Sequence, residues 1–233
     1  MSIQENIAEI SRQMDGFAGK AGKSGRDILL IAVTKTRTPQ EILEAVDCGI
    51  TDIGENKVQE LLDKYPQVQA PVRWHLIGHL QTNKVKYIID KVHLIHSVDS
   101  IRLAREIDRR AEAAGIIANI LIQVNAAGEE SKFGVAPEDV RSLVGSILEE
   151  CGSVRIKGLM HIAPFAEDPE AVRTYFTEVK NLYEQLAEIR HPGLDFSVLS
   201  MGMSNDFGVA IEEGANAIRV GTSIFGERDY STK

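Results

Sequence analysis

Short runs rich in β-branched and other apolar residues recur along the chain, and between them the apolar positions fall at helical spacing. The runs lie at 28–35 (ILLIAVTK), 50–55 (ITDIGE), 74–78 (WHLIG), 93–98 (HLIHSV), 118–125 (ANILIQVN), 155–161 (RIKGLMH), 196–200 (FSVLS) and 217–221 (AIRVG), which predicts eight strands. The clearest helical stretches are 101–114, 138–150 and 170–189. Local signals mark several helix starts. Thr38-Pro39-Gln40-Glu41 offers a capping hydroxyl, a proline at the first helical position and a glutamate three residues after the cap. Ala136-Pro137 and Asp168-Pro169 repeat the proline signal, and Asp99 is placed to cap the helix that opens near Ile101. At the start, Ile3, Ile7, Ile10 and Met14 form the apolar stripe of an additional amphipathic helix.

Strands that alternate with helices imply a parallel sheet. Eight such units in 233 residues predict a closed (β/α)8 TIM barrel, because an open doubly wound sheet usually has fewer strands and a reversal of strand order. The expectation is therefore an α/β fold: a single barrel domain over 1–233 with an extra N-terminal helix.

Composition narrows the function classes. A net charge of −8 argues against a general nucleic-acid surface, and Lys84, Lys86 and Lys91 read as a solvated helix face. No run approaches the roughly 18 apolar residues of a membrane span, and the N-terminus lacks the basic-then-apolar order of a secretory leader. A soluble, cytoplasmic protein is expected. Cys48 and Cys151 have neither metal-ligand nor redox-pair spacing. His75/His79 and His93/His96 begin within strands, where such spacing does not converge on a metal. The glycine-rich basic stretch 17–25 has no strand before it and is no phosphate-binding P-loop.

Barrel enzymes and binders build their sites from the loops after the strands. Here those loops offer Lys35, Glu55-Asn56, Gly78-His79, Asp99, Asn125, Met160-His161, Ser200-Met201-Gly202-Met203-Ser204 and Arg219-Val220-Gly221-Thr222-Ser223. Period-two alternation puts Lys35 on the face of Leu29, Ile31 and Val33. If that face is the interior, desolvation favours the free amine, which can attack a carbonyl. The strand position alone is equally compatible with a lysine reaching out to solvent.

The last two loops supply glycines and hydroxyls suited to an anion. Ser204 precedes a stretch, 205–213, that can form a short helix, while Gly221 and Thr222 close the cradle from the other side. A reactive lysine facing a phosphate cradle admits a phosphorylated aldehyde cofactor or a sugar-phosphate aldolase. Arg219 shares parity with Ala217 and Gly221 and points inward, either to donate to a pyridine nitrogen or to pair with a carboxylate across the barrel.

The segments AVTKT (32–36), GENKVQE (54–60), WHLIGHLQTNK (74–84), SVDS (97–100), LSMGMSNDF (199–207) and RVGTSIFGER (219–228) together closely resemble the pyridoxal phosphate homeostasis protein family, over about residues 28–228. That family is in turn similar to the N-terminal barrel of alanine racemase. The resemblance implies a protein that binds pyridoxal 5'-phosphate (PLP), buffers or delivers it, and influences vitamin B6 and amino-acid balance without established turnover.

Carried onto this sequence, it makes Lys35 the Schiff-base lysine. It places Ser204, Gly221 and Thr222 at the phosphate, Asn56 near the ring, Met201 in the MGMS turn of the family, and Arg219 at the pyridine nitrogen. His79 either flanks the ring or stabilises the loop after the third strand. It implies a monomer, with PLP-dependent apoenzymes as recipients. An arginine at the pyridine nitrogen leaves the ring a poorer electron sink than an aspartate would, and no stretch here reads as the second, β-rich domain that completes the racemase site. An amino-acid racemase remains the alternative, although only Lys35 stands out as a base.

Overall fold

A computed structural model describes residues 2–129 and 133–227. Eight parallel strands close into a barrel in chain order. They are β1 (Leu29–Val33), β2 (Asp52–Glu55), β3 (Arg73–Leu76), β4 (Leu94–Val98), β5 (Ala118–Val124), β6 (Val154–His161), β7 (Leu194–Ser200) and β8 (Ala217–Val220). β8 closes on β1 with Leu29 opposite Ala217 and Ile31 opposite Arg219. Around them run α1 (Ile3–Lys20), α2 (Pro39–Asp47), α3 (Val58–Lys64), α4 (Ile101–Ala114), α5 (Pro137–Glu150), α6 (Arg173–Ala187), α7 (Phe207–Glu212) and α8 (Thr222–Phe225). The expected TIM barrel with its N-terminal helix is what the chain forms.

Local chemistry accounts for most boundaries. Thr38 caps α2 through the expected reciprocal bonds with Glu41, and Pro137 opens α5. Three expectations are corrected. Asp99 does not cap α4; Ser100 does, its hydroxyl accepting from the Leu103 N–H. Between β3 and β4 the helix expected to carry three lysines is a 3-10 helix, Thr82–Tyr87, which carries Lys84 and Lys86 and ends before Lys91. Val85 and Ile88, three apart and fully buried, suit three residues per turn. Phe17 and Gly19 belong to α1 rather than to a loop, and the Phe17 ring meets Phe207 edge-on at 6.0 Å.

Apolar side chains form two cores. The outer one joins alternate strand residues such as Ile53, Leu76, Ile95 and Ile218 to the helices. The inner one is Leu94, Leu121 and Met160, with Val198 and Ile162 packed against them, drawn from four successive strands and the residue after β6. Beside it lies a buried polar chain: Asp52 Oδ1 accepts from His75 Nε2 at 2.8 Å, and His75 Nδ1 lies 2.9 Å from His96 Nε2. With Asp52 accepting, His75 presents an N–H at Nε2, and one of His75 Nδ1 and His96 Nε2 donates to the other. Burial pushes the His96 imidazole well below its ordinary pKa, so it is neutral.

Burial alone would raise the Asp52 pKa, but hydrogen bonds from His75, Arg73 and Thr51 outweigh it and hold the carboxyl at about 2 against an ordinary 3.8. Stabilisation from this group is present above the ordinary value and disappears as pH falls through about 2, amounting to about 2 kcal/mol. Urea unfolding followed between about pH 4 and pH 2 should therefore fall less steeply in Asp52→Asn than in the parent. Parallel curves would remove Asp52 from the acid response.

Candidate cofactor site

β1 ends at Val33, two residues before the predicted end, and Thr34 to Thr36 turn out of the barrel. Lys35, half-buried in that turn, lines a cavity of about 240 Å³ together with Val33, Arg37, Met203, Ser204, Asn205, Arg219, Gly221 and Thr222. The structure thus brings together five of the expected residues: Lys35, Ser204, Arg219, Gly221 and Thr222.

Arg219 is 3% exposed. Its guanidinium donates to Ser200 Oγ at 2.6 Å and to the His161 carbonyl at 2.7 Å. Both partners are neutral, and among the described residues Arg219 makes no ion pair with a carboxylate, so the expected alternative of a cross-barrel carboxylate is not found. Burial pushes its pKa down to about 10, with Asp206 acting in the opposite direction. The group stays cationic at neutral pH and is held rigidly, at the inner wall of the cavity.

The cradle is assembled differently from expectation. The Gly221 and Ser223 N–H groups both donate to Ser204 Oγ, at 3.3 and 3.4 Å. The Ser204 hydroxyl thus sits against two backbone N–H groups, and Ser204, Gly221 and Thr222 share one wall of the cavity. The helix predicted to start after Ser204 instead starts at Phe207 with Asp206 at its N-cap. Asp206 accepts from the Met203 N–H at 2.6 Å and makes no side-chain bond to the first turn of α7, so its carboxylate closes the turn before the helix.

Met201 is fully buried in the outer core and does not reach the cavity. Met203, 37% exposed, lines it instead. The parity changes at Gly202, whose φ of 90° no ordinary side chain adopts readily and whose added Cβ would lie 2.7 Å from Ala210 Cβ.

Asn56 and His79 stand outside the lining of this cavity. Asn56 Oδ1 is buried with no hydrogen-bond partner among the described residues, an acceptor that the fold leaves to a donor from elsewhere. The His79 ring stacks on Phe133 with centroids 3.8 Å apart, and its Nδ1 lies 4.0 Å from Asp99 Oδ2. Arg37 and Ser223 were not singled out from the sequence. The Arg37 guanidinium reaches the Gly226 carbonyl and lies over the Phe225 ring; it follows the turn at Thr36, where strand parity no longer holds, so the sequence carries no signal that points to it.

Comparison with known proteins places this geometry. The family described as the alanine racemase N-terminal domain matches residues 3–229, so the fold and the site define a barrel of that class. Within it, the pyridoxal phosphate homeostasis protein of Aquifex aeolicus is 44% identical over 99% of this chain and 100% of its own length. The protein of the same name from Vibrio cholerae is 37% identical over 99% of this chain and 98% of its own. The chain belongs to the pyridoxal phosphate homeostasis protein family. Among solved structures, PipY of Synechococcus elongatus with PLP bound superposes with a TM-score of 0.83 at 33% identity, covering 97% of this chain and 100% of that one. No described helix is long and apolar enough to cross a membrane.

Proposed function

We propose that this chain binds PLP, held as a Schiff base on Lys35, and acts in PLP and amino-acid homeostasis as a carrier without significant turnover. The observation that carries the reading is the shared cavity: an amine, a rigid guanidinium and the wall of Ser204, Gly221 and Thr222 line one space of about 240 Å³. The PLP-bound PipY structure and the names of the relatives support the same ligand. PLP brings an aldehyde that condenses with amines and a ring that withdraws electrons.

The chain's own residues bind and orient it. Lys35 supplies the amine. Ser204, Gly221 and Thr222 hold the phosphate, with the Ser223 N–H as an added donor. Arg219, its other bonds fixed by Ser200 and His161, donates to the pyridine nitrogen and keeps a proton off it. Asn56 turns its buried acceptor toward the ring side, and His79 with Phe133 borders the mouth. Met201, behind the turn, supports it through the core only. In this reading the chain is one PLP-binding barrel domain over 1–233, monomeric and cytoplasmic, that passes its cofactor to PLP-dependent apoenzymes.

An amino-acid racemase needs a proton-transfer group on each face of its substrate. The described lining holds Lys35 and no tyrosine, histidine, cysteine or carboxylate besides, which favours the carrier. The test uses the PLP-loaded protein. Its cofactor should transfer to a PLP-requiring apoenzyme, while alanine incubated with it in heavy water gains no more α-deuterium than with free PLP. Sustained α-exchange would make the protein an enzyme, and a chain that PLP cannot colour would return the aldolase reading.

A further inference from the structure

We propose that Glu55, Glu60 and Lys64 form a positioning cluster that holds the turn at Thr36 and thereby aims Lys35 into the cavity; this rests on reading Lys35 as the attachment lysine. The cluster grips both chain neighbours of Lys35. Lys64 Nζ donates to the Thr34 carbonyl at 2.7 Å, to Glu55 Oε1 at 2.9 Å and to Glu60 Oε1 at 2.6 Å, so all three ammonium donors are engaged. Glu55 Oε1 also accepts from the Thr34 hydroxyl at 2.6 Å. Glu60 Oε1 accepts from the Thr36 backbone N–H.

Thr36 is where this grip is needed. Its φ is 65°, and among the described residues it is the only non-glycine with positive φ. A β-branched residue enters that region only when its surroundings dictate it, and such outliers collect at functional sites. The turn reverses the chain directly after Lys35, which lets a residue beyond the end of β1 still line the cavity.

Cost supports a geometric purpose. Glu55 is fully buried and the Lys64 side chain is 8% exposed, and burial raises the Glu55 pKa even with Lys64 and Thr34 bonded to it. A buried ion pair of this kind adds little net stability compared with apolar packing of the same volume. What it does provide is a fixed direction for the atoms it bonds. Glu60, 23% exposed on α3, is the member whose only described backbone contact is the strained residue. Glu55, Glu60 and Lys64 are positioning residues, since none lines the cavity.

The test measures the rate at which added PLP becomes fixed to Lys35 by borohydride, alongside thermal stability, in the full chain. Glu60→Ala, which leaves Glu55 and Lys64 paired, should slow fixation roughly tenfold, as expected when a nucleophile loses its alignment, with little change in Tm. Thr36→Gly in that background should recover most of the rate, because glycine adopts the left-handed conformation without the clamp. A structural prop would show the opposite: Tm would fall and glycine would not help.

Should Glu60→Ala not fold, Glu60→Gln with and without Thr36→Gly must show the same slowing and recovery. A parent protein that fixes PLP on Lys35, with a Glu60 variant equally fast or not recovered by glycine, overturns the positioning role alone. A parent that fixes no PLP on Lys35 overturns the attachment reading and this inference with it.

Discussion

Replacing Lys35 by alanine is expected to abolish the Schiff-base absorption band of the PLP-loaded protein, leaving the shorter-wavelength band of the free aldehyde, with the fold intact. The side chain is half-buried in a turn beyond β1, outside both apolar cores. Truncating it therefore removes little of the packing that makes core truncations costly. The cradle and Arg219 remain, so Lys35→Ala still admits PLP, but without a covalent link and without the longer-wavelength band that link confers. Lys35→Arg should fail equally, because a guanidinium keeps its charge and does not condense with an aldehyde. Absorbance spectra with added PLP, read beside thermal unfolding, check both variants. A retained Schiff-base band, bleached by borohydride, would move the attachment to another amine.

Gly78→Ala is expected to be the most damaging single methyl group near the site. A Cβ at that position would lie 2.3 Å from the Asn56 carbonyl oxygen and 2.8 Å from Asn56 Cα. Backbone, unlike the end of a flexible side chain, cannot step aside at low cost, so the loop after β2 must move. The expected penalty is about 3 kcal/mol, or a drop in Tm of roughly 6–12 °C for a domain of this size. PLP affinity should fall with it, since Asn56 is displaced. Gly145→Ala is the control: it lies within α5 with nothing within 4 Å of the added Cβ, and it should be neutral or stabilising by about 0.5–1 kcal/mol. Equal Tm and equal PLP titrations for Gly78→Ala and the parent would show that the close approach carries no weight.

The barrel was legible because its information is local. Each strand is a short apolar run, each helix has its own stripe and caps, and their alternation dictates a parallel, closed sheet. Lys35, Arg219, Gly221 and Thr222 could be read for the same reason, since strand parity and exit points depend on near neighbours in the chain. Where the structure departs from the expected site, backbone conformation after the strand is the reason. Met201, placed at the site by the family motif, keeps the outward parity of Leu199; Met203 comes to the cavity because Gly202, at φ 90°, breaks the alternation, and the helix expected after Ser204 starts only at Phe207, behind a turn in which Asp206 accepts from the Met203 N–H.

Contacts across strands were further out of reach. The Asp52, His75 and His96 chain forms only when β2, β3 and β4 take their registers, and pairwise histidine spacing in the sequence carries no trace of it. Glu55 and Glu60 stood in view within GENKVQE, but their purpose appears only when Lys64, a turn further along α3, meets the end of β1. The motif that ends at Arg228 passes beyond the described residues.

The proposed bond between Lys35 and the cofactor aldehyde can be located directly. The protein is loaded with PLP, reduced with borohydride, digested, and its peptides are weighed. A single major reduced phosphopyridoxyl adduct is expected on the peptide carrying Lys35, lost in Lys35→Ala. An adduct of equal yield on a different lysine, or none at all on a protein that still binds PLP tightly, would contradict the assignment of Lys35.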